Sequence, residues 1–309
     1  MLMVEVHNLT KVFGETTAVD GVTFDLMKGD MCGFIGPNGA GKTTTIKIVA
    51  SLLPPTTGSV FIGGRRLWPD GNRSQIAHSI GYMPDQFGVY ENMKVWEYLE
   101  FFGLAYKIPE ERRKKTAEDI LLLTDLIDVY DEFVLNLSRG MQQRLSLSRV
   151  LLHDPEVLLL DEPASGLDPQ ARIEMRALLS ELREMGKTIL ISSHILTELA
   201  TVCNKVCIVQ SGQMVFSGTS EELQEQVMPG QVYLIAVEGK LEKAAQMLKL
   251  DEKVESVETE EDHLRVSLKN PFPGEGYLSA ILQKGGMHIT LYQPQETSLE
   301  DAYMKLLEE

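Results

Sequence analysis

Residues 31–49 read MCGFIGPNGAGKTTTIKIV, and this stretch decides the fold. Its apolar start, 31–35, is typical of a buried strand, and the residues from Lys42 onward have the pattern of a helix. The glycine-rich turn between them matches G-x-x-x-x-G-K-[ST], which in this strand-and-helix context predicts a phosphate-binding loop. The candidate ligand-binding residues of the loop and the helix start are Gly36, Asn38, Gly39, Ala40, Gly41, Lys42, Thr43 and Thr44.

The chemistry of this loop follows from its residue types. Glycines let the backbone curl so that several N–H groups point inward, and the N-terminus of the following helix adds partial positive charge. Lys42 supplies a full charge for the β- and γ-phosphates of a nucleotide, and the Thr43 hydroxyl is a candidate ligand for Mg²⁺. The alternative is a chance glycine-rich turn, which the flanking strand and helix disfavour.

Two acidic residues end a second buried strand at 157–160. Asp161 is a candidate Mg²⁺ ligand, usually through water, and Glu162 is placed to orient or deprotonate an attacking water. Two solvated acids are the alternative, and the phosphate loop upstream argues against it. His194 follows the strand 188–192. Because parallel sheets bind ligands at the carboxyl ends of their strands, His194 is a candidate contact to the γ-phosphate, although a lone histidine is more often structural.

Composition narrows the class of protein. The 309 residues carry a net charge of −16, which repels phosphate backbones, so we expect no nucleic-acid partner. No apolar run approaches the roughly 18 residues of a membrane span, and the N-terminus lacks the pattern of a secretory signal. We therefore expect a cytoplasmic chain. Cys32, Cys203 and Cys207 are expected to be reduced thiols.

The pattern along the chain predicts two domains. We place an α/β domain at 1–228, with a helical part at about 87–150, and an accessory domain at 229–309, divided at Pro229-Gly230. The accessory domain has the order strand, helix, strand, strand, helix, strand, which predicts a ferredoxin-like βαββαβ unit. Its predicted strands are 232–237, 253–258, 264–268 and 287–292, and its predicted helices are 241–248, 276–284 and a last one at 299–307.

These motifs, in this order, resemble the nucleotide-binding subunit of ABC transporters over residues 1 to about 228. Residues 137–144, LSRGMQQR, look like the family's signature, usually LSGGQ followed by xQR. Residues 163–169, PASGLDP, are similar to its D-loop, and Phe13 matches the aromatic residue that stacks on adenine. The resemblance implies a P-loop NTPase with a mixed sheet core, an antiparallel β subdomain and a helical subdomain. It also implies an ATPase that uses ATP and Mg²⁺.

The signature departs from the family pattern. Arg139 replaces its first glycine and Met141 its glutamine, while Ser138 and Gly140 remain. A serine hydroxyl and backbone N–H groups at a helix N-terminus can still bind a γ-phosphate, so we expect a working but altered signature. Arg139 either adds charge at that phosphate or points to solvent.

The family's Q-loop glutamine normally follows a Gly-Tyr-x-Pro pattern. Here residues 81–84 lead to Asp85, and Gln86 comes one place later. Either Asp85 reaches Mg²⁺ as an acid, or Gln86 substitutes with a shifted loop. Both residues are candidate metal ligands.

The resemblance further implies a dimer, of identical or different ATPase subunits, in which ATP lies between the phosphate loop of one copy and Ser138 of the other. It implies separate transmembrane permease subunits that contact the helical part. There the aromatic stretch 90–102 either lines the contact groove or packs the helices. The LSRGM sequence and the residues 298–301 look most like bacterial ABC-2 exporters, which implies export and a peripheral position on the inner face of the cell membrane.

Three alternatives compete. A soluble ABC-type ATPase acting on ribosomes or DNA would need paired ATPase domains, coiled-coil arms or basic tracts, whereas this chain has one cassette and an acidic C-terminal part. A P-loop kinase of small metabolites would not need the signature or the D-loop. The accessory domain, taken alone, is a binding module for which dimer support or regulation ranks above small-molecule sensing.

Overall fold

The computed structural model describes residues 1–69, 71, 73–85, 88, 90, 92–194, 199, 202–219, 221–223, 232–269, 274 and 276–294. The chain divides into two compact units, Met1–Thr219 and Ser220–Glu309, and each is considered by itself. The division that the sequence suggested, at Pro229-Gly230, lies outside the described residues.

A mixed six-stranded sheet, in the order β10-β9-β3-β8-β7-β6, forms one layer of the first unit. Its strands run parallel except β10, which pairs antiparallel with β9. Strands β3 and β7 are buried along their whole length, as expected for parallel strands covered on both faces. The carboxyl ends of β3, β7 and β8 therefore meet at one edge. Strands β1 to β10 are Leu2–Phe13, Thr16–Met27, Met31–Ile35, Thr57–Ile62, Arg65–Trp68, Ile80–Met83, Val157–Asp161, Thr188–Ser193, Lys205–Gln210 and Gln213–Thr219.

An antiparallel four-stranded sheet, in the order β2-β1-β4-β5, forms a second layer. Its buried side chains, such as Val4, Val6 and Leu9, share one hydrophobic core with strands of the six-stranded sheet. The first hairpin is long, because β1 continues to Phe13 before a turn at Gly14, whose φ is 57°. That extension places Phe13 at the end of the hairpin.

Among the described residues of the first unit, six α-helices connect these strands. Two of them end where the backbone becomes left-handed: Asp125, with φ 54°, follows α4, and Ser51, with φ 65°, follows α1. For this reason α4 ends at Leu123 and α1 ends at Val49. Helices α1 to α6 are Lys42–Val49, Arg73–Ile76, Val95–Ala105, Glu110–Leu123, Arg139–Leu151 and Pro169–Glu184.

The second unit confirms the ferredoxin-like prediction. Its four strands pair antiparallel in the order β12-β13-β11-β14, and its two described helices follow β11 and β13. Ile235 and Val266 of the sheet share a core with Leu248 and Leu282 of the helices. The predicted last helix, 299–307, lies outside the described residues. The elements are β11 Val232–Val237, α7 Leu241–Lys249, β12 Val254–Thr259, β13 Leu264–Leu268, α8 Tyr277–Lys284 and β14 Ile289–Pro294.

None of the helices in the described part of the chain has the length and apolar character that crossing a bilayer requires. The three cysteines are free and buried.

Candidate nucleotide-binding site

The phosphate loop joins the buried end of β3 to the start of α1. Two of its glycines are required by their surroundings. A side chain at Gly36 would clash with the carbonyl oxygen of Val209, and a Cβ on Gly41 would lie 2.5 Å from the carbonyl oxygen of Ala18. Gly41 also has φ 98°, which favours glycine. The loop is therefore held close to neighbouring backbone, with the N-terminus of α1 directed at its interior.

Lys42 is the first residue of α1 and is only 6% exposed. Its Nζ donates to the carbonyl oxygens of Gly36, at 2.7 Å, and Pro37, at 3.2 Å, and lies 3.7 Å from Glu162 Oε1. Burial lowers the pKa of Lys42, and the carboxylates of Glu162 and Asp161 oppose that shift. The loop thus holds a cation in its own interior, where a phosphate group would replace the carbonyl oxygens as its partner.

Asp161 ends β7 and is 1% exposed. A carboxylate buried in this way needs hydrogen-bond partners. Its Oδ1 accepts from the Ser192 hydroxyl at 2.6 Å and from the Thr43 hydroxyl at 3.1 Å. The Ser192 Oγ in turn accepts from the backbone N–H of Glu162 at 3.0 Å. Thr43 and Asp161 therefore present neighbouring hydroxyl and carboxylate oxygens, and oxygen is the donor that Mg²⁺ prefers. This donor set fits a magnesium ion.

Glu162 follows β7 with φ 51°, a left-handed conformation that is unusual for a non-glycine residue. Its Oε2 lies 2.9 Å from Nδ1 of His194, which donates to it in the tautomer with a proton on Nδ1. His194 stands just past β8, with its side chain 45% exposed. The two residues form a hydrogen-bonded pair, and both line the cleft in front of the loop.

These groups face an open cleft of about 570 Å³. Phe13 stands at its rim, 47% exposed, with Lys11 Nζ 5.0 Å from the centre of its ring. Asp85 lines the cleft and is exposed, while Gln86 lies outside the described residues. The lining residues include Phe13, Asn38, Thr43, Asp85, Ser165 and His194.

The signature residues lie at the start of α5. Ser138 is the N-cap of this helix, and its Oγ accepts from the backbone N–H of Met141 at 3.2 Å. A Cβ on Gly140 would approach the Ala171 side chain at 3.1 Å, so α5 begins packed against the first turn of α6. Ser138 and Arg139 are exposed, and neither lines the cleft of Lys42. Within one chain, the predicted residues of the phosphate loop and of the ends of β7 and β8 lie together, whereas the signature residues lie apart from them.

Ser192 is a site residue that sequence reasoning missed. It lies opposite Asp161 in the parallel register of β7 and β8 and connects Asp161 to the backbone of Glu162. The available signal was a polar residue at the end of a strand that otherwise reads as buried and apolar. Ser165 and Ala18, which also line the cleft, were not singled out either.

Comparisons with known proteins agree on one family. The profile of the ABC transporter family matches residues 19–165. The bacitracin transport ATP-binding protein BcrA of Bacillus licheniformis is 32% identical, over 99% of this chain and 97% of its own. The Nod factor export ATP-binding protein I of Ralstonia nicotianae is 31% identical, over 98% of this chain and 93% of its own. A solved dimeric structure of MJ0796, a bacterial ABC transporter cassette, matches with a TM-score of 0.63 and 27% identity, covering 70% of this chain and 98% of that one.

Proposed function

This chain belongs to the ATP-binding subunits of ABC transporters, and on that premise we propose that it hydrolyses ATP in a dimer and drives export through a separate permease. One observation carries the proposal. Lys42, Thr43, Glu162 and His194 come from distant parts of the chain and line one cleft, and the buried Asp161 accepts a hydrogen bond from Thr43 beside it. A cation, oxygen ligands for a metal and a carboxylate–histidine pair are the parts that phosphoryl transfer to water requires.

The proposed mechanism assigns each group a task. The backbone N–H groups of the loop and the Lys42 ammonium hold the triphosphate, and Phe13 stacks on the adenine ring. Thr43 and Asp161, with Asp85 or Gln86, would hold Mg²⁺, which when bound neutralises charge on the phosphates. Glu162 orients the attacking water and accepts its proton, while His194 fixes the direction of that carboxylate.

The second half of the site is proposed to come from a facing copy. Ser138 is exposed at a helix N-terminus and does not line the cleft of its own chain. A hydroxyl and free N–H groups there suit the γ-phosphate of another chain's nucleotide. The structural neighbour that is described as a dimeric cassette supports this arrangement. Either two identical or two different chains satisfy it.

Coupling to transport is supported by the names of the relatives, which refer to bacitracin transport and Nod factor export. In this chain the helical part exposes apolar side chains, including Phe101 at 43% and Leu104 at 54%, and this surface is a suitable contact for a permease. We accordingly place the subunit on the inner face of the cell membrane. The second unit is proposed to support or regulate the dimer.

The decisive experiment uses Glu162→Gln, which should bind Mg-ATP without hydrolysing it. We expect light scattering to give the mass of a dimer with Mg-ATP and of a monomer with Mg-ADP, because only the triphosphate bridges two copies. Lys42→Ala in the same background is the control and should stay monomeric. A monomer at saturating Mg-ATP, with ATP binding verified, would contradict the proposal.

A further inference from the structure

Arg139 has a definite place in the fold, against the D-loop of its own chain. A Cβ built on Gly166 would lie 2.5 Å from Nη2 and 2.7 Å from Nη1 of Arg139, so the guanidinium group packs directly on the Gly166 backbone. Gly166 has φ 68°, in the left-handed region. This glycine therefore provides both the backbone conformation and the space that the guanidinium occupies.

This contact joins two segments with different tasks in the proposed dimer. Arg139 opens α5, directly after Ser138, which serves the nucleotide of the facing chain. Gly166 belongs to the turn that follows Glu162, which serves the nucleotide of its own chain. The turn is closed by backbone bonds from Ser165 N–H to the Glu162 carbonyl, at 3.0 Å, and from Leu167 N–H to the Ala164 carbonyl, at 3.3 Å.

The guanidinium has no hydrogen-bond or ion-pair partner among the residues that the structure describes, and it packs on the Gly166 backbone. Glu162 itself is held in a left-handed conformation that costs on the order of 1–3 kcal/mol and needs support from its surroundings. Its supports are the Ser192 hydroxyl on one side and the turn to Gly166 on the other.

We propose that Arg139 is a positioning residue for Glu162 of its own chain, acting by packing on Gly166 of the D-loop. The proposal rests on the proposed function, because it assumes that Glu162 is the hydrolytic carboxylate and that two chains form the site. In this proposal Arg139 affects hydrolysis of the nucleotide bound by its own chain, whereas Ser138 contacts the nucleotide of the facing chain. The competing role is a charge contact to the facing chain's γ-phosphate. It predicts that Arg139 affects hydrolysis of the nucleotide bound by the facing chain.

Mixed dimers with two affinity tags separate these roles. One chain keeps Glu162 and is the only one able to hydrolyse ATP; the other carries Glu162→Gln. Arg139→Gly is placed in the hydrolysing chain of the first dimer and in the inactive chain of the second. We expect the first dimer to turn over about tenfold more slowly than the parent, with half-saturating ATP unchanged, because a misplacement of about 1 Å can cost ~100-fold in rate. The second should match the parent.

Further variants test whether the defect depends on the guanidinium group of Arg139. Arg139→Gln, which keeps a long side chain in α5, should reproduce the defect, and Arg139→Lys should restore little, since an ammonium group cannot lie flat on the glycine. Arg112→Gln, at an exposed position of α4, is the matched control and should change nothing.

A slow second dimer, full rescue by Arg139→Lys, or equal rates in the two dimers would each overturn the assignment. Failure of the parent chains to dimerise with Mg-ATP would remove the proposed function itself. The two failures are therefore distinguishable.

Discussion

Two helix N-termini in the first unit carry predicted nucleotide-binding residues in opposite surroundings. At α1, Lys42 is 6% exposed, and its ammonium group bonds to two loop carbonyls. At α5, Ser138 is exposed, and its hydroxyl bonds to the N–H of Met141 in its own helix. The first terminus is enclosed by its own chain, whereas the second is open to a ligand or a partner.

The difference has a structural origin. Helix α1 follows a central strand of a parallel sheet, so its N-terminus lies at the edge where β7 and β8 also end. Helix α5 belongs to the helical part and packs its first turn on α6, outside that edge. An enclosed terminus is suited to bind a nucleotide alone, and an open one is suited to complete a site across an interface. Substitutions at each terminus should therefore have different consequences.

The largest effect is expected for Lys42→Ala. It removes the cation of the enclosed terminus, and we expect steady-state ATPase activity to fall about 100-fold or more, with loss of ATP binding by calorimetry. Lys47→Ala, an exposed lysine in the same helix, is the control and should behave as the wild type. Undiminished hydrolysis by Lys42→Ala would mean that the loop is not the phosphate site.

A negative charge at the N-terminus of α5 should impair dimerisation without changing ATP binding by the single chain. Ser138→Asp and Ser138→Asn both keep a good N-cap, so α5 is preserved in each, but only the aspartate repels a γ-phosphate. In a Glu162→Gln background we expect the aspartate variant to stay monomeric with Mg-ATP, while its calorimetric affinity for ATP is unchanged. Equal dimerisation of the two variants would place Ser138 away from the phosphate.

A smaller effect is expected at the rim of the cleft. Phe13→Ala removes the exposed ring that we propose to stack on adenine, and we expect ATP affinity to fall by about 2 kcal/mol, roughly thirtyfold. Phe13→Tyr keeps the ring and should bind as tightly as the wild type. Calorimetric titration of both variants checks this. Unchanged ATP binding by Phe13→Ala would mean that other residues contact the adenine base.

The smallest effect is expected for Ser192→Ala, which removes the hydroxyl that connects Asp161 to the backbone of Glu162. We expect the free energy of unfolding to fall by about 1 kcal/mol, together with a lower rate of hydrolysis. Denaturant unfolding and an ATPase assay measure the two effects. Ser256→Ala, on an exposed position of β12, should cause neither.

Much of the fold could be predicted because its signals are local. The second unit alternates helical and extended periodicity over short segments, and its predicted helices 241–248 and 276–284 agree with the structure within about one residue. Helix ends were harder, since α4 stops before Asp125 for a backbone reason that its amphipathic pattern does not reveal. Strands β4, β5 and β6 are short, with four to six residues each, and were not predicted.

By itself the sequence determined the phosphate loop, because its glycines, its lysine and the flanking strand and helix are neighbours along the chain. The tertiary structure alone decided that Ser192 meets Asp161, 31 residues away, and that Arg139 packs on Gly166. The first pairing depends on the register of β7 against β8, and the second on how α5 packs against the start of α6. Such contacts arise from the packing of whole elements, which spacing along one chain does not specify.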